Sequence, residues 1–334
     1  MRGFGRFLGR VLLLLIVAGA AVWVFAPREP VDRDLAFDPA VIGEDPAAFL
    51  AAREAQFDDI VPGTEKRIVW AGEPGARTAL SIVYLHGFSA TSEEIRPVPD
   101  RVAEALGANL HFTRLAGHGR GSAAMAEPVA GDWIEDMAEA LEIGRRIGGR
   151  MLVISTSTGG TLAAIAAADP DLAPVLMRDV EGMVFVSPNF GIDRLASFLL
   201  GLPYVRHWGP VLAGAERSFE PESVLHGQFW TTRYPSVAAV PLEALVRHAN
   251  RLDYSKAEVP ALFLYAPQDQ VVDPGATARV AAVWGGGAQV WHPVLTSADD
   301  NHAHVIAGEA LSPSQTAPVV AQILDWARAM QLAQ

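Results

Sequence analysis

Residues 151–161 read MLVISTSTGGT, an apolar run that ends in small polar residues and leads into the Ala-rich segment Leu162–Ala168. The apolar run predicts a buried strand, and the Ala-rich segment predicts a helix. Ser157 therefore lies in a strand–turn–helix connection, which is the setting of a nucleophile elbow with the pattern G-x-S-x-G. Strand and helix backbones pass so close in this turn that the flanking residues must be small. Gly159 meets this requirement, and Ser155 replaces the first glycine. A turn of this composition also suits a simple helix cap in any α/β protein.

Short apolar runs alternate with helical patterns from about residue 66 to the C-terminus. This alternation predicts an α/β fold, with a mostly parallel central sheet and helices on both faces. One helix is expected after Gly131, with Asp132 as its cap, and an amphipathic helix is expected from about Pro318 to Met330. The predicted strands are Leu80–Leu85, Leu110–Arg114, Met151–Ser155, Met183–Val186, Ala261–Tyr265 and Gln289–Pro293.

One segment, about residues 190–258, interrupts the alternation because it lacks strand patterning and is rich in aromatic residues. A structureless loop of this length is uncommon in a compact domain, so a helical insertion over one end of the sheet is expected. Most of its aromatic residues are expected to form the core of the insertion, and a few to line an apolar pocket.

The tripeptide His86-Gly87-Phe88 follows the first predicted strand. In an elbow enzyme, a backbone N–H from this loop and the N–H after the nucleophile together hold a negatively charged oxygen. We therefore assign Phe88 and Thr158 as the oxyanion-hole donors. Gly87 lets the backbone approach a substrate, and His86 is expected to pack and hydrogen-bond within the loop.

A serine nucleophile needs an imidazole base and a carboxylate that orients it. Asp269 follows the strand Ala261–Tyr265, at the sheet edge where functional groups of open parallel sheets collect. Asp273 directly precedes a proline, so it is expected to cap a helix instead. Two histidines, His302 and His304, are candidates for the base. His304, which precedes two apolar residues that would hold its ring, is preferred over His302, which lies deeper in the polar loop.

The loop that contains these histidines also suggests a metal site, because Asp299 and Asp300 precede the His302-x-His304 pair. A catalytic zinc usually has a third strong ligand, and no second histidine cluster is visible. The absence of cysteine excludes disulfides, thiolate metal sites and a cysteine nucleophile. No metal is therefore predicted.

Ser157, Asp269 and His304 follow one another in the order Ser…Asp…His, each after a predicted strand, which is the chain order of α/β-hydrolases. From about Lys66 to the C-terminus the chain resembles this family, and it looks most like the bacterial carboxylesterases and the monoacylglycerol-lipase-like serine hydrolases. The resemblance rests on His86-Gly87-Phe88, Arg114-Leu115-Ala116-Gly117-His118-Gly119, Asp132-Trp133, the Ser157 elbow, Pro267-Gln268-Asp269 and His304-Val305-Ile306.

The resemblance implies an α/β-hydrolase domain over residues 66–334, with the insertion as a cap that covers the pocket and sets acyl specificity. It further implies cleavage of carboxylic esters through an acyl-enzyme on Ser157, with His304 as base and Asp269 as its orienting carboxylate. This mechanism needs no metal and no organic cofactor. A thioesterase, or an amide or peptide hydrolase with the same triad, would fit the same residues. A membrane-tethered binding protein of this fold without catalysis is a further alternative. Cleavage of haloalkanes or epoxides would require an acidic residue at the elbow position, where this chain has Ser157.

Residues 1–26 differ from the rest, because three arginines precede the uncharged run Val11–Ala26. As a helix, this run would span about 24 Å, slightly less than a hydrocarbon core of about 30 Å. An uncleaved anchor in the bacterial inner membrane is expected, with the basic end cytoplasmic and the catalytic domain periplasmic. Secretion after signal cleavage near residues 18–20, or a buried core helix, are the alternatives. Residues 27–65 are expected to form a linker and lead-in.

The whole chain has 334 residues, 26 Lys and Arg against 38 Asp and Glu, and a formal net charge of −12. The length suits one large α/β domain or two modest ones. A nucleic-acid partner is not expected, because binding to a phosphate backbone needs a basic face and none is evident. The expected partners are an ester substrate and, through the N-terminal segment, a membrane. The oligomeric state is not predicted.

Overall fold

A computed structural model describes residues 2–192 and 194–332. The strands of this part of the chain are β1 (Arg67–Val69), β2 (Thr78–Leu85), β3 (Asn109–Phe112), β4 (Gly148–Thr156), β5 (Val180–Val186), β6 (Glu216–Ser218), β7 (Arg233–Pro235), β8 (Ala261–Leu264) and β9 (Ala288–Trp291). The α-helices are α1 (Arg2–Phe25), α2 (Pro46–Glu54), α3 (Val98–Leu106), α4 (Ala130–Ile147), α5 (Thr158–Ala168), α6 (Ala173–Leu176), α7 (Arg194–Leu200), α8 (Val205–Ala213), α9 (Val224–Phe229), α10 (Ala239–Ala249), α11 (Pro274–Ala282) and α12 (Thr316–Ala329).

Seven strands form the central sheet in the order β1-β3-β2-β4-β5-β8-β9. Strand β1 pairs antiparallel with β3, and the other neighbours are parallel. The register places Ser155 beside Leu85 on one side and Phe185 on the other. The parallel strands therefore end at one edge of the sheet, where the loops that follow β2, β4, β8 and β9 meet. The predicted α/β class with a mostly parallel sheet is confirmed.

Apolar layers cover both faces of this sheet. Along β2, Val83 and Leu85 belong to one buried cluster, whereas Ile82 and Tyr84 belong to another. This division follows from the pleat, because successive side chains of a strand point to opposite faces. Helices α4 and α5 pack on the first layer, and α3 and α12 pack on the second.

The six predicted strands are all present, with ends shifted by at most three residues. Helix α4 begins at Ala130, two residues earlier than expected, so Asp132 is not the cap but lies at the third helical position. From there its carboxylate accepts the Val129 N–H at 2.8 Å. Strand β1 was not predicted, because it is short and partly exposed and therefore has no apolar run.

The insertion contains helices α7 to α10, as expected, but it also contains a two-stranded antiparallel sheet of β6 and β7. The expectation of a segment without strands is therefore wrong. All three residues of β6 are exposed, so the pairing leaves no apolar alternation in the sequence.

Residues 27–65, which were expected to form a linker and lead-in, are packed against the rest of the chain. Arg33 Nη1 lies 3.0 Å from Asp169 Oδ2. The buried Glu54, at the end of α2, pairs with Arg114, and its Oε2 lies 2.7 Å from Arg114 Nε. These ion pairs join residues far apart in the chain, so no local pattern reveals them.

Helix α1 contains the apolar run for which an anchor was predicted. Its described large apolar side chains are exposed, among them Leu14, Leu15 and Phe25. Across residues 2–192 and 194–332, no helix combines the length and the apolar character needed to cross a membrane.

Candidate active site

Ser157 occupies a strained turn between β4 and α5. Its φ of 49° and ψ of −114° lie outside the regions that residues with a side chain prefer. The turn brings helix and strand together so closely that a Cβ on Gly159 would lie 2.2 Å from the Leu85 carbonyl oxygen. Ser155 fits in place of the usual glycine because its hydroxyl donates to the Val184 carbonyl at 3.1 Å. The turn thus has the backbone of a nucleophile elbow.

Three predicted site residues come together at the carboxyl edge of the sheet. Ser157 Oγ lies 3.1 Å from His304 Nε2, and His304 Nδ1 lies 2.8 Å from Asp269 Oδ2. All three side chains are buried. The hydrogen bond to Asp269 keeps the Nδ1 proton in place, so Nε2 is free to accept a proton from the serine hydroxyl.

Backbone hydrogen bonds orient the acid and the histidine. The other carboxylate oxygen of Asp269, Oδ1, accepts the N–H groups of Val271 and Val272 at 2.8 and 3.0 Å. Asp300 Oδ2 accepts the N–H of His304 at 2.8 Å, which holds the loop that carries the ring. Asp273 caps α11 through the Gly275 N–H, as predicted.

His302 does not reach the serine. Its side chain is 59% exposed, and its Nδ1 lies 3.0 Å from Glu222 Oε1 of the insertion. Of the two competing histidines, His304 is the one that the structure brings to Ser157.

Electrostatics favour a protonated His304. Burial lowers the pKa of His304, but the carboxylates of Asp269, Glu94 and Asp300 outweigh it, and the pKa is raised above 6.5. An imidazolium ion that forms when Ser157 gives up its proton is therefore stabilised.

The predicted oxyanion-hole residues Phe88 and Thr158 line the same cavity as Ser157. Among the described residues, neither backbone N–H donates to a protein group. His86 Nδ1 donates to the Gly87 carbonyl at 2.9 Å, while its Nε2 accepts the Leu115 N–H at 3.1 Å. Burial keeps the pKa of His86 well below its ordinary value, so the ring is neutral and shapes the loop.

The cavity beside Ser157 has a volume of about 390 Å³. Its wall combines apolar residues of the sheet loops with residues of the insertion. The apolar lining residues include Phe88, Ile192, Phe219, Trp230, Leu242, Val272, Val305 and Leu311. Aromatic residues of the insertion thus lie in the pocket wall.

Two candidate functional residues, Glu94 and Glu222, were not identified from the sequence. Glu94 is 2% exposed, and its Oε2 accepts the Gly87 N–H at 2.7 Å. Burial raises the pKa of Glu94 to about 7, against the opposing effects of the Gly87 N–H, His304 and Tyr84. Glu222, from the insertion, reaches His302 and Asn301. The only local sign of Glu94 is an acidic residue seven positions after Gly87, and this offset has no meaning without the loop geometry.

Three side chains in this region, Glu222, Asp300 and His302, could together hold a metal ion. Possible ligand atoms of Glu222, Asp300 and His302 lie within 4.8 Å of one another. His304 is directed to Ser157 instead, and Asp299 accepts hydrogen bonds from Thr296. The two histidines therefore face different partners and do not share one candidate metal site.

Comparison with known protein families identifies the family of this chain. A model of the alpha/beta hydrolase family matches residues 82–314, a range that includes Ser157, Asp269 and His304. The chain belongs to the α/β-hydrolase family. None of the curated protein sequences matches this α/β-hydrolase.

Several solved structures share the fold of this α/β-hydrolase at low sequence identity. One is a metagenome-derived lipolytic enzyme, with a TM-score of 0.65, 20% identity, and coverage of 81% of this chain and 99% of that chain. A monoacylglycerol lipase from Paleococcus ferrophilus has a TM-score of 0.57, 14% identity and coverage of 80% and 99%. A soluble variant of monoglyceride lipase from Saccharomyces cerevisiae has a TM-score of 0.58, 10% identity and coverage of 80% and 91%. At these identities the likeness establishes the fold alone.

Proposed function

We propose that this chain is a serine hydrolase that cleaves carboxylic esters through an acyl-enzyme on Ser157. The observation that carries the proposal is the hydrogen-bonded series from Ser157 Oγ through His304 to Asp269, in a strained elbow beside an apolar cavity. The lipolytic and monoacylglycerol-hydrolysing neighbours support the ester as the bond that is cleaved.

In the proposed mechanism, His304 Nε2 accepts the hydroxyl proton as Ser157 Oγ attacks the ester carbonyl carbon. The N–H groups of Phe88 and Thr158 stabilise the oxyanion, and removal of one such donor typically costs 100- to 1000-fold in kcat. His304 then protonates the departing alkoxide, and the alcohol leaves. Water attacks the acyl-enzyme with His304 again as base, which releases the acid and restores the serine. Asp269 orients the imidazole throughout.

The cavity supports an uncharged ester with an apolar acyl group. Its charged side chains in the described part of the chain, apart from histidine, are all acidic: Glu94, Glu220, Glu222 and Asp300. Acidic side chains repel an anionic leaving group, and this repulsion disfavours a coenzyme A thioester, which carries several phosphate charges. We therefore place neutral esters ahead of the thioesterase alternative.

The test uses the full-length chain, its Ser157→Ala variant and a fluorophosphonate probe. Wild type is expected to label and to hydrolyse p-nitrophenyl esters, and Ser157→Ala is expected to lose labelling and at least about 1000-fold in kcat. Ser187→Ala is a matched control, because Ser187 also has a positive φ and its buried hydroxyl has no partner among the described residues. It should label like wild type.

Substrate preference is read from esters of graded chain length, compared with butyryl-CoA and an anilide. A higher kcat/KM for butyryl-CoA than for the butyrate ester would favour a thioesterase, and a preference for the anilide would favour an amide hydrolase. A folded wild type that neither labels nor turns over any substrate would refute catalysis and favour a binding protein.

We retain the inner-membrane location with a periplasmic catalytic domain as a separate proposal, which rests on the sequence of residues 1–26 alone. Cell fractionation tests it. Recovery in the membrane fraction at full length is the expected result, and a shortened chain in the periplasm or medium would indicate signal cleavage.

A further inference from the structure

A buried carboxyl group lies beside the nucleophile without a part in the steps above. Glu94 is 2% exposed and lines the cavity together with Ser157 and His304. A buried carboxyl group is costly unless its environment holds it through hydrogen bonds or specific charges. The hydrogen bonds of the Glu94 carboxyl group should therefore show which part of the site it stabilises.

Glu94 joins three segments around the elbow. Its Oε2 accepts the Gly87 N–H at 2.7 Å and the Tyr84 hydroxyl at 3.2 Å. Tyr84 also contacts Thr156 Oγ1 at 3.1 Å, one residue before the nucleophile. The carboxyl group thus connects the end of β2, the loop after it and the end of β4.

The fit between Glu94 and the loop is close. A Cβ on residue 87 would lie 2.5 Å from Glu94 Oε1 and 2.9 Å from Ser157 Cβ. The backbone of Gly87 is therefore enclosed between the carboxyl group and the nucleophile. A side chain at this position would displace one or the other.

Two side chains then determine the direction of the Phe88 N–H. His86 Nδ1 binds the Gly87 carbonyl, and Glu94 binds the N–H of the same residue. The Gly87–Phe88 peptide is planar and trans, so fixing its carbonyl also fixes its N–H on the opposite side. The Phe88 N–H is the one assigned to the oxyanion.

We propose that Glu94 is a positioning residue. Its carboxyl group anchors the Gly87 N–H on one side of the Gly87 Cα, while His86 holds the Gly87 carbonyl on the other, so that the Phe88 N–H stays directed at the oxyanion. This inference rests on the proposed function for its kinetic effect. The anchoring itself is a property of the loop and can be measured without turnover.

The kinetic test compares Glu94→Ala and Glu94→Gln in the full-length chain. Glu94→Ala removes the acceptor, so kcat for p-nitrophenyl butyrate should fall about 10- to 100-fold with KM changed less than about threefold, because the oxyanion forms only in the transition state. Glu94→Gln keeps an oxygen for the Gly87 N–H and should recover kcat to within about threefold of wild type.

Glu93→Ala is the matched control. Glu93 is the adjacent acidic residue, but it pairs with Arg67 and Arg96 away from the cavity. Its kcat should stay near that of wild type. A wild-type kcat in Glu94→Ala, or equal losses in Glu94→Ala and Glu94→Gln, would overturn the kinetic part of the proposal.

A spectroscopic test separates this proposal from the proposed function. In protein labelled with ¹⁵N-glycine in the Ser157→Ala background, the Gly87 amide resonance should shift with a midpoint near pH 7, as the Glu94 carboxyl titrates. The other titratable groups that face this carboxyl are Tyr84 and His304, and the charge of Glu93 helps to raise the pKa of Tyr84. Adding Glu94→Gln should remove the shift. A Gly87 resonance that does not titrate, or that titrates equally in Glu94→Gln, would overturn the anchoring even if the enzyme proves inactive.

Discussion

At the residue scale, the backbone of Ser157 costs about 1–3 kcal/mol to hold, and the close contact at Gly159 helps to hold it. A Cβ at Gly159 would meet the Leu85 carbonyl at 2.2 Å. We therefore expect Gly159→Ala to displace α5 from β2, to lower the melting temperature and to reduce kcat/KM about 100-fold, because small displacements of catalytic groups are costly. Gly72→Ala is the control, since no atom lies within 4 Å of its Cβ position. Equal effects of the two variants on melting and kcat/KM would contradict the prediction.

The pH dependence of catalysis also belongs to single residues. His304 must be neutral to accept the serine proton, and the carboxylates around it raise its pKa above 6.5 despite burial. We expect kcat/KM to rise with pH through a midpoint above 6.5, measured from pH 5 to 9. In Asp269→Asn, kcat should fall by about four orders of magnitude and the midpoint should move to lower pH. A wild-type midpoint at or below 6.5 would show that the carboxylates do not prevail over burial.

At the scale of elements, a buried lysine that directly precedes β1 pairs with helix α4. Lys66 Nζ lies 2.8 Å from Asp136 Oδ1 and 2.6 Å from Glu139 Oε1, both on α4. Lys66→Met would remove the buried cation from both carboxylates, although Glu139 keeps Arg53 at 3.5 Å and Asp136 keeps the Ala116 N–H. The free energy of unfolding should therefore fall by about 3 kcal/mol in urea titrations. Lys256, which is exposed, gives the control Lys256→Met, with an expected change within about 0.5 kcal/mol. A fall in the free energy of unfolding of less than about 1 kcal/mol for Lys66→Met would contradict this prediction. It would show that solvent or a rearranged side chain replaces the lysine as the partner of the carboxylates.

At the scale of the whole molecule, Asp169 connects the lead-in, the sheet domain and the insertion. It follows α5, its side chain is fully buried, and it contacts Arg33 of the lead-in at 3.0 Å and His248 of α10 at 2.9 Å. Asp169→Asn is expected to lower the free energy of unfolding by about 3 kcal/mol at pH 7. Asp171→Asn, which changes the exposed carboxylate that also contacts Arg33, should cost less than about 1 kcal/mol.

The pH dependence of this difference has a definite sign. Burial raises the pKa of Asp169, but the hydrogen bonds from His248, the Asp171 N–H and Arg33 lower it below 3.8 overall. The stabilisation is therefore present above pH 3.8 and lost as the pH falls through the lower folded-state value. Urea titrations should show a smaller difference between wild type and Asp169→Asn at pH 3 than at pH 5. A difference that does not shrink between pH 5 and pH 3 would contradict the assignment.

Local pattern was sufficient for the six predicted strands of the sheet and for the order of the site residues. Five of these strands are buried over most of their length and appear as apolar runs, whereas β9 is largely exposed. The loops after β4, β8 and β9 carry Ser157, Asp269 and His304. The same reasoning missed β1, β6 and β7, because short exposed strands are held by pairing with distant segments and leave no periodicity of their own.

Tertiary structure alone decided which groups face one another. His302 and His304 are only two residues apart, yet one pairs with Glu222 of the insertion and the other with Ser157. The role proposed for Glu94 depends on the loop after β2, which folds its carboxyl group onto Gly87. Burial, and with it the pKa of a carboxyl or imidazole group, is set by atoms from distant parts of the chain, and local sequence does not carry that information.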